Sequence, residues 1–286
     1  MAIMPCSRFP CSPDYGVTYI MTYFFDRSLV LSTVSEGVFS FSPNKDYWNF
    51  NSAFGGWVAA ATIKALHLSD GFRGEIISQH MQFISAVKSE TLYAIVTLRD
   101  RKRTTDFWSV TISDKADNGR SLAVAEIVAG TRKDHEIEYS PPLPAYKAPE
   151  DCTRMRTNPL SPRWLDRYEL LISSGRPFSK NETPHSVILI REDDKRPPDA
   201  VSLAAVLDTS MPRAFFVTDT ARMASTLSMS SHIYASDVEI AEIGSDFMIL
   251  EADSAAVRHG LSNEEVRLFR RDGLLIATSY QTAVFK

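Results

Sequence analysis

A chain of 286 residues with 44% hydrophobic content is long enough for one large domain or two small ones, each with its own core. A net charge of -4 and a pI near 5.9 leave no surplus of basic residues to neutralise a phosphate backbone, which sets nucleic acid aside as a partner. Three cysteines, Cys6, Cys11 and Cys152, lack metal-ligand spacing and cannot all pair, a usage that fits a reducing compartment.

In chain order, residues 1–20 read as a flexible N-terminal segment. They lack a charged region followed by an apolar block, and the apolar stretch Val17 to Val34 is broken by Asp26 and Arg27. Neither a signal peptide nor a spanning helix is expected there, and the final Val-Phe-Lys is no peroxisomal address, so the expected location is cytoplasmic, without membrane insertion. Residues 21–140 form a first unit. Its segment Trp57 to Leu66, interrupted only by Thr62 and Lys64, predicts a helix that is apolar nearly all round and therefore enclosed. Strand-like runs follow at Ile76 to Val87, Leu92 to Arg99, Asp106 to Ser113 and Leu122 to Thr131, with a turn at Asp117-Asn-Gly119.

Six prolines between Pro141 and Pro162 mark a connector, residues 141–162, running over the surface. In the second unit, residues 163–286, the plan repeats: Trp164-Leu-Asp-Arg answers Phe24-Phe-Asp-Arg at an offset of 140 residues. A second apolar helix, Ala200 to Leu207, precedes strands at Ser225 to Ala235, Phe247 to Val257, Glu265 to Arg270 and Leu274 to Phe285. The last two are joined by a hairpin turn at Arg270-Arg-Asp-Gly273. The expected class is α+β: two tandem units, each an antiparallel sheet curled around a central helix, with the sheets joined side by side.

Several residues are candidates for chemistry. Gly55 and Gly56 open the first helix, where unpaired amides and the helix dipole favour an oxygen that must approach closely; relief of helix–sheet crowding is the other reading. Gln281 is a lone amide on a strand face shared with Ala277, Ser279 and Ala283, so it needs a partner, in substrate or in neighbouring backbone. Asp208 is a single carboxylate ending the apolar second helix, either functional or a cap before Pro212. Thr226 is expected to share a strand face with Ser228, Ser230, His232 and Tyr234, a row that is ordinarily just a polar sheet face. No Gly-x-Ser-x-Gly elbow, Cys–His pairing, Walker or dinucleotide glycine pattern is present, and the histidines form no i, i+4 metal pair, so no metal is expected. Arg99-Asp-Arg-Lys-Arg103 is a basic run, either a phosphate contact or the solvated end of a hairpin.

Four stretches carry a resemblance: Phe54-Gly-Gly-Trp-Val-Ala-Ala60, Ala204-Ala-Val-Leu-Asp-Thr-Ser-Met-Pro212, Ser225-Thr-Leu-Ser-Met-Ser-Ser-His-Ile233 and Ala277-Thr-Ser-Tyr-Gln-Thr-Ala-Val-Phe285. In this order they resemble the type II acyl-CoA thioesterases of the double hotdog group, over about Phe24 to Lys286. The resemblance implies direct hydrolysis of an acyl thioester. Water is held by Asp208, Thr226 and Gln281, and the carbonyl oxygen lies near Gly55, Gly56 and Trp57. Coenzyme A enters as part of the substrate, with no other cofactor and no covalent intermediate, and a homo-oligomer is expected. Phe54, Phe83, Trp108 and His232 are candidates for the acyl pocket, with Arg101 and Arg103 as candidates for coenzyme A. Core packing explains the aromatic residues, Trp48 and Trp57 included, equally well.

Two positions depart from the family pattern. Ser228-Met229 stands where an Asp-His pair is common, and Thr282 stands where an acid often follows the Gln. They point away from a housekeeping fatty acyl substrate, toward an acyl group of a biosynthetic pathway. A hotdog hydratase or dehydratase, an acyltransferase-like enzyme and a silent acyl-binding protein remain as alternatives.

Overall fold

The structure, a computed structural model, describes residues 23–286; the expected flexible segment 1–20 lies outside the described residues. A single turn of helix, α1 (Phe24–Ser28), packs Phe25 edge-on against Tyr47 with ring centroids 5.8 Å apart. A short hairpin follows, β1 (Ser32–Ser35) and β2 (Val38–Phe41). Its turn needs Gly37, at φ +68°, because a Cβ there would press on the Val96 carbonyl.

Helix α2 (Gly55–His67) buries every side chain from Trp57 to Leu66 except Lys64. Its one buried hydroxyl, Thr62, donates to the Ala59 carbonyl at 2.8 Å and accepts from the Gln79 amide at 2.7 Å. Four long strands complete the first half: β3 (Glu75–Phe83), β4 (Leu92–Arg101), β5 (Thr105–Ser113) and β6 (Ser121–Gly130). α2 packs on β4, β5 and β6, the enclosure that its apolar sequence demanded.

The second half contains β7 (Thr153–Arg154), β8 (Tyr168–Ser174), β9 (Ser186–Glu192), α3 (Ala200–Val206), β10 (Ala224–Ile233) and α4 (Asp237–Ala241). It closes with β11 (Met248–Asp253), β12 (Val257–Arg258), β13 (Leu261–Phe269) and β14 (Leu275–Phe285). Helix α3 starts on a reciprocal cap in which the Asp199 carboxylate accepts from the Ser202 amide at 2.8 Å, while the Asp199 amide donates to the Ser202 hydroxyl at 3.1 Å. The two Asp-Arg sequences occupy matching places, one on α1 and the other on a 3₁₀ turn at Arg163–Arg167.

Among the described residues, all fourteen strands join one antiparallel sheet, ordered β1-β2-β4-β5-β6-β3-β10-β14-β13-β11-β9-β8-β7, with β12 pairing β13 off this path. The halves meet where β3 pairs β10, with His80 opposite Ser230. Packing of α2 against α3 closes the same seam from inside, and one hydrophobic cluster runs from Phe25 to Ala277 through both halves.

Three sequence expectations change. The hairpin β8–β9 was not anticipated, since consecutive apolar residues such as Val187 to Ile190 carry no alternation to distinguish strand from helix. Strand β13 begins at Leu261, four residues before the expected Glu265. The proline-rich connector does more than run over the surface: it makes a 3₁₀ turn at Pro149–Asp151, adds β7 to the sheet edge and packs Leu143 and Tyr146 on Val187, Ile249 and Phe269.

Candidate active site

Four elements converge at the seam. The N-terminus of α2 meets the end of α3, and β10 and β14 send Thr226 and Gln281 to the same point. Helix α3 closes with the Leu207 amide on the Leu203 carbonyl at 2.9 Å and the Asp208 amide on the Ala205 carbonyl at 3.2 Å, which leaves the Asp208 side chain facing α2. A Cβ built on Gly55 would lie 2.7 Å from Asp208 Oδ2, and one on Gly56 would lie 2.6 Å from the Ala205 carbonyl oxygen. What comes so close to the helix start is therefore the second half of the chain itself, its carboxylate and its backbone. The crowding that the two glycines relieve is thus between helix and helix, not between helix and sheet as the alternative reading had it.

Asp208 is 8% exposed. Burial, reinforced by the negative charge of Glu264, pushes its pKa up to about 8, while hydrogen bonds from the Gly56 amide and the Gln281 side chain pull the other way. Gln281, 1% exposed, is engaged on every side. Its nitrogen donates to the Leu207 carbonyl at 3.2 Å as well as to Asp208, and its oxygen accepts from the Thr226 hydroxyl at 3.3 Å. Phe83 lies over the same spot, its ring 3.4 Å from the Cβ position of Gly55.

Thr226 reaches this point through a bulge that the sequence does not announce. Register in the β10–β14 pair shifts between Thr226 and Ser228, so Thr226 faces Ala283 on the buried side, with Met229 opposite Gln281. Ser228, Ser230 and His232 turn to the outer face, and His232 is exposed. The expectation that Thr226 and His232 share a face is corrected, and His232 cannot line a pocket beside Asp208.

The other candidates separate. Trp57 is fully buried, its indole nitrogen donating to the Ser28 hydroxyl at 3.3 Å and its ring 5.8 Å from Phe41; only its backbone belongs to the helix start. Phe54 stacks on Trp164 at 4.3 Å, and Trp164 meets Tyr168 edge-on, an aromatic layer between the halves. Trp48 is partly buried, with the Lys45 ammonium over its ring at 3.6 Å. Trp108 is a core residue two strands from β3, opposite Ile127, which in turn faces Gln79. Arg101 is committed to Asp106 at 2.9 Å, alongside Arg73 at 2.8 Å, and Arg103 is exposed at the tip of that hairpin.

Residues that the sequence did not single out also stand here. Glu264, 2% exposed, lies directly opposite Gln281 in the β13–β14 register. The Ser210 hydroxyl donates to it at 2.6 Å. Buried Arg213 stands beside it, its guanidinium bonded to the carbonyls of Met211 (2.9 and 2.7 Å) and Pro184 (3.1 Å) and to the Ser186 hydroxyl (2.8 Å). The signal for Glu264 was its alternation with Ser262, Val266 and Leu268, visible only once the strand is begun at Leu261.

Residues 44–131 match the family model of the acyl-CoA thioesterase N-terminal domain, and residues 149–285 match that of the acyl-CoA thioesterase C-terminal domain. No curated protein sequence matches the chain. Similar solved structures include a conserved protein of unknown function with hot dog fold from Alicyclobacillus acidocaldarius, 23% identical with a TM-score of 0.87 over 93% of this chain and 98% of the other. Another is the tesB protein of Mycobacterium avium subs paratuberculosis, 20% identical, TM-score 0.73, covering 92% and 98%. A third is the acyl-CoA thioesterase II TesB2 from Mycobacterium marinum, 15% identical, TM-score 0.72, again covering 92% and 98%. These identities speak to fold alone, and the fold is a double hotdog. Matched in order by both domain models, which together span well over half of its length, the chain belongs to the acyl-CoA thioesterase family.

Proposed function

We propose that the protein hydrolyses an acyl-CoA thioester to the free acid and coenzyme A, with Asp208, Thr226 and Gln281 holding the attacking water. The reading is carried by one observation: a carboxylate from the second half accepts a hydrogen bond from the Gly56 amide at a helix start of the first, with an amide and a hydroxyl beside it. Hydrolysis needs these parts. Ionised Asp208 takes a proton as the water oxygen bonds to the thioester carbon, while Thr226 and Gln281 fix the direction of attack. The carbonyl oxygen, gaining negative charge, sits at the N-terminus of α2, where losing one donor typically costs about 3 to 4 kcal/mol of transition-state stabilisation. Collapse of the tetrahedral intermediate breaks the C–S bond, and the proton on Asp208 passes to the departing thiolate.

A hydratase or dehydratase on this fold would want a histidine beside the acid. Among the groups acting on the Asp208 carboxyl none is a histidine, and His232 faces outward. Thioester hydrolysis is therefore preferred.

Thiol release from a panel of short, medium, long and aromatic acyl-CoAs tests the reading. At least one should turn over, and Asp208→Asn should lower that rate by about 10² to 10⁴-fold with the fold intact. Absence of turnover on the whole panel, or equal rates in the variant, would reject it, the former in favour of a carrier-bound substrate or a silent binder.

A further inference from the structure

We infer that Glu264 is a positioning residue for this hydrolysis: a second buried carboxylate, held across the strand pair from Gln281, whose charge governs when Asp208 accepts a proton from the water. The inference rests on the reading of Asp208 as the group that activates the water. Three placements carry it. Glu264 projects from β13 onto the buried face, directly opposite Gln281, whose amide donates toward Asp208. The chain leaving α3 turns back so that Ser210, two residues after Asp208, donates its hydroxyl to Glu264 at 2.6 Å, which ties Glu264 to the turn that carries Asp208. Arg213, on the next turn, contributes charge but no short ion pair, because its guanidinium is spent on the carbonyls of Met211 and Pro184 and the Ser186 hydroxyl.

The charged and titratable groups facing this pair come from every side of the site. Asp208 meets the amide end of α2, Gln281 from β14, Glu264 from β13 and the Tyr168 phenol from β8. Glu264 meets Ser210 and Arg213, and Arg213 also feels Asp253 from β11. Two carboxyl groups so enclosed do not ionise independently. Burial raises both carboxyls, with Arg213 and Ser210 opposing it at Glu264. At Asp208 the negative charge of Glu264 adds to burial, and together they lift it to about 8. Consequently the water-activating form of the site appears in the range just above neutrality, and Asp208 is a stronger base there than a lone carboxylate.

The test compares wild type, Glu264→Gln and Glu264→Asp by two readouts: the pH profile of kcat/KM for the best acyl-CoA of the panel, and a ¹³C-carboxyl NMR titration with labelled Asp and Glu. In Glu264→Gln the titration midpoint of Asp208 and the rising limb of the profile should both move to lower pH by about one unit or more, whereas Glu264→Asp should stay near the wild type. In the wild type alone, the Asp208 carbon should register two steps, one belonging to Glu264. A single-step Asp208 titration in the wild type, or an unmoved limb in Glu264→Gln, would overturn the inference. Failure of the underlying reading looks different: Asp208→Asn would keep its turnover, whatever Glu264 does.

Discussion

Gln281 shows how much one side chain can be asked to do. Its nitrogen serves the Leu207 carbonyl and Asp208, and its oxygen orders Thr226. Replacing it with alanine should slow thiol release and also leave the buried Leu207 carbonyl without its donor. The stability cost should be about 1 to 3 kcal/mol, read from urea denaturation. Much of this was legible, because a lone amide or carboxylate in an apolar run must have a partner wherever it is buried. Gln281 and Asp208 stand out in that way. Thr226, one hydroxyl in a serine-rich strand, does not, and its face was not legible either: the bulge at Leu227 reverses the alternation, and a bulge is decided by pairing with β14 rather than by local residues. Glu264 escaped notice because a late strand start hid its alternation.

At the scale of elements, the site depends on how closely α2 and α3 approach. Gly56→Ala should shift α3, since the new Cβ would meet the backbone oxygen of Ala205 at 2.6 Å, and neither backbone can give way cheaply. A fall in stability of about 1 to 3 kcal/mol, seen as a lowered Tm, is expected. Gly55→Ala differs in kind. Its Cβ meets the Asp208 carboxylate, a side chain that can rotate away, so this variant should lose turnover out of proportion to its loss of Tm. Equal Tm losses and intact turnover in both variants would argue against the close approach. The sequence marked the two glycines and predicted a substrate carbonyl oxygen at the helix start. It did not show that the Asp208 carboxylate, 153 residues further along, also comes to that point.

For the whole molecule, the shared core and the continuous sheet predict a single unfolding transition by calorimetry rather than one for each half. Its midpoint should depend on pH with a definite sign. Asp208, Glu264 and Glu192 are buried, and desolvation lifts them to about 8, 7 and 8. Each titrates near pH 4 when unfolded. The stability they permit is therefore complete below pH 4 and is lost as pH rises through 7 to 8. Asp106 works oppositely: hydrogen bonds from Arg73, then Arg101, hold it below the usual range, and its contribution is lost in strong acid. Stability should peak in the mildly acidic range, and Glu192→Gln should flatten the decline toward pH 8.5 in urea titrations. A midpoint that climbs from pH 5.5 to 8.5 would contradict this.

The sequence by itself determined the plan of two repeated halves, the enclosed helices, the long antiparallel strands and the polar residues that apolar surroundings cannot leave unpartnered. Those are properties of local pattern, in which periodicity and burial are read from near neighbours. Only the tertiary structure decided which side of β10 Thr226 faces and that the glycines make room for Asp208. It alone placed Glu264 beside that group. These depend on register, on a bulge and on the packing of α2 against α3, contacts between residues far apart in the chain, and nothing within a short stretch of sequence specifies them.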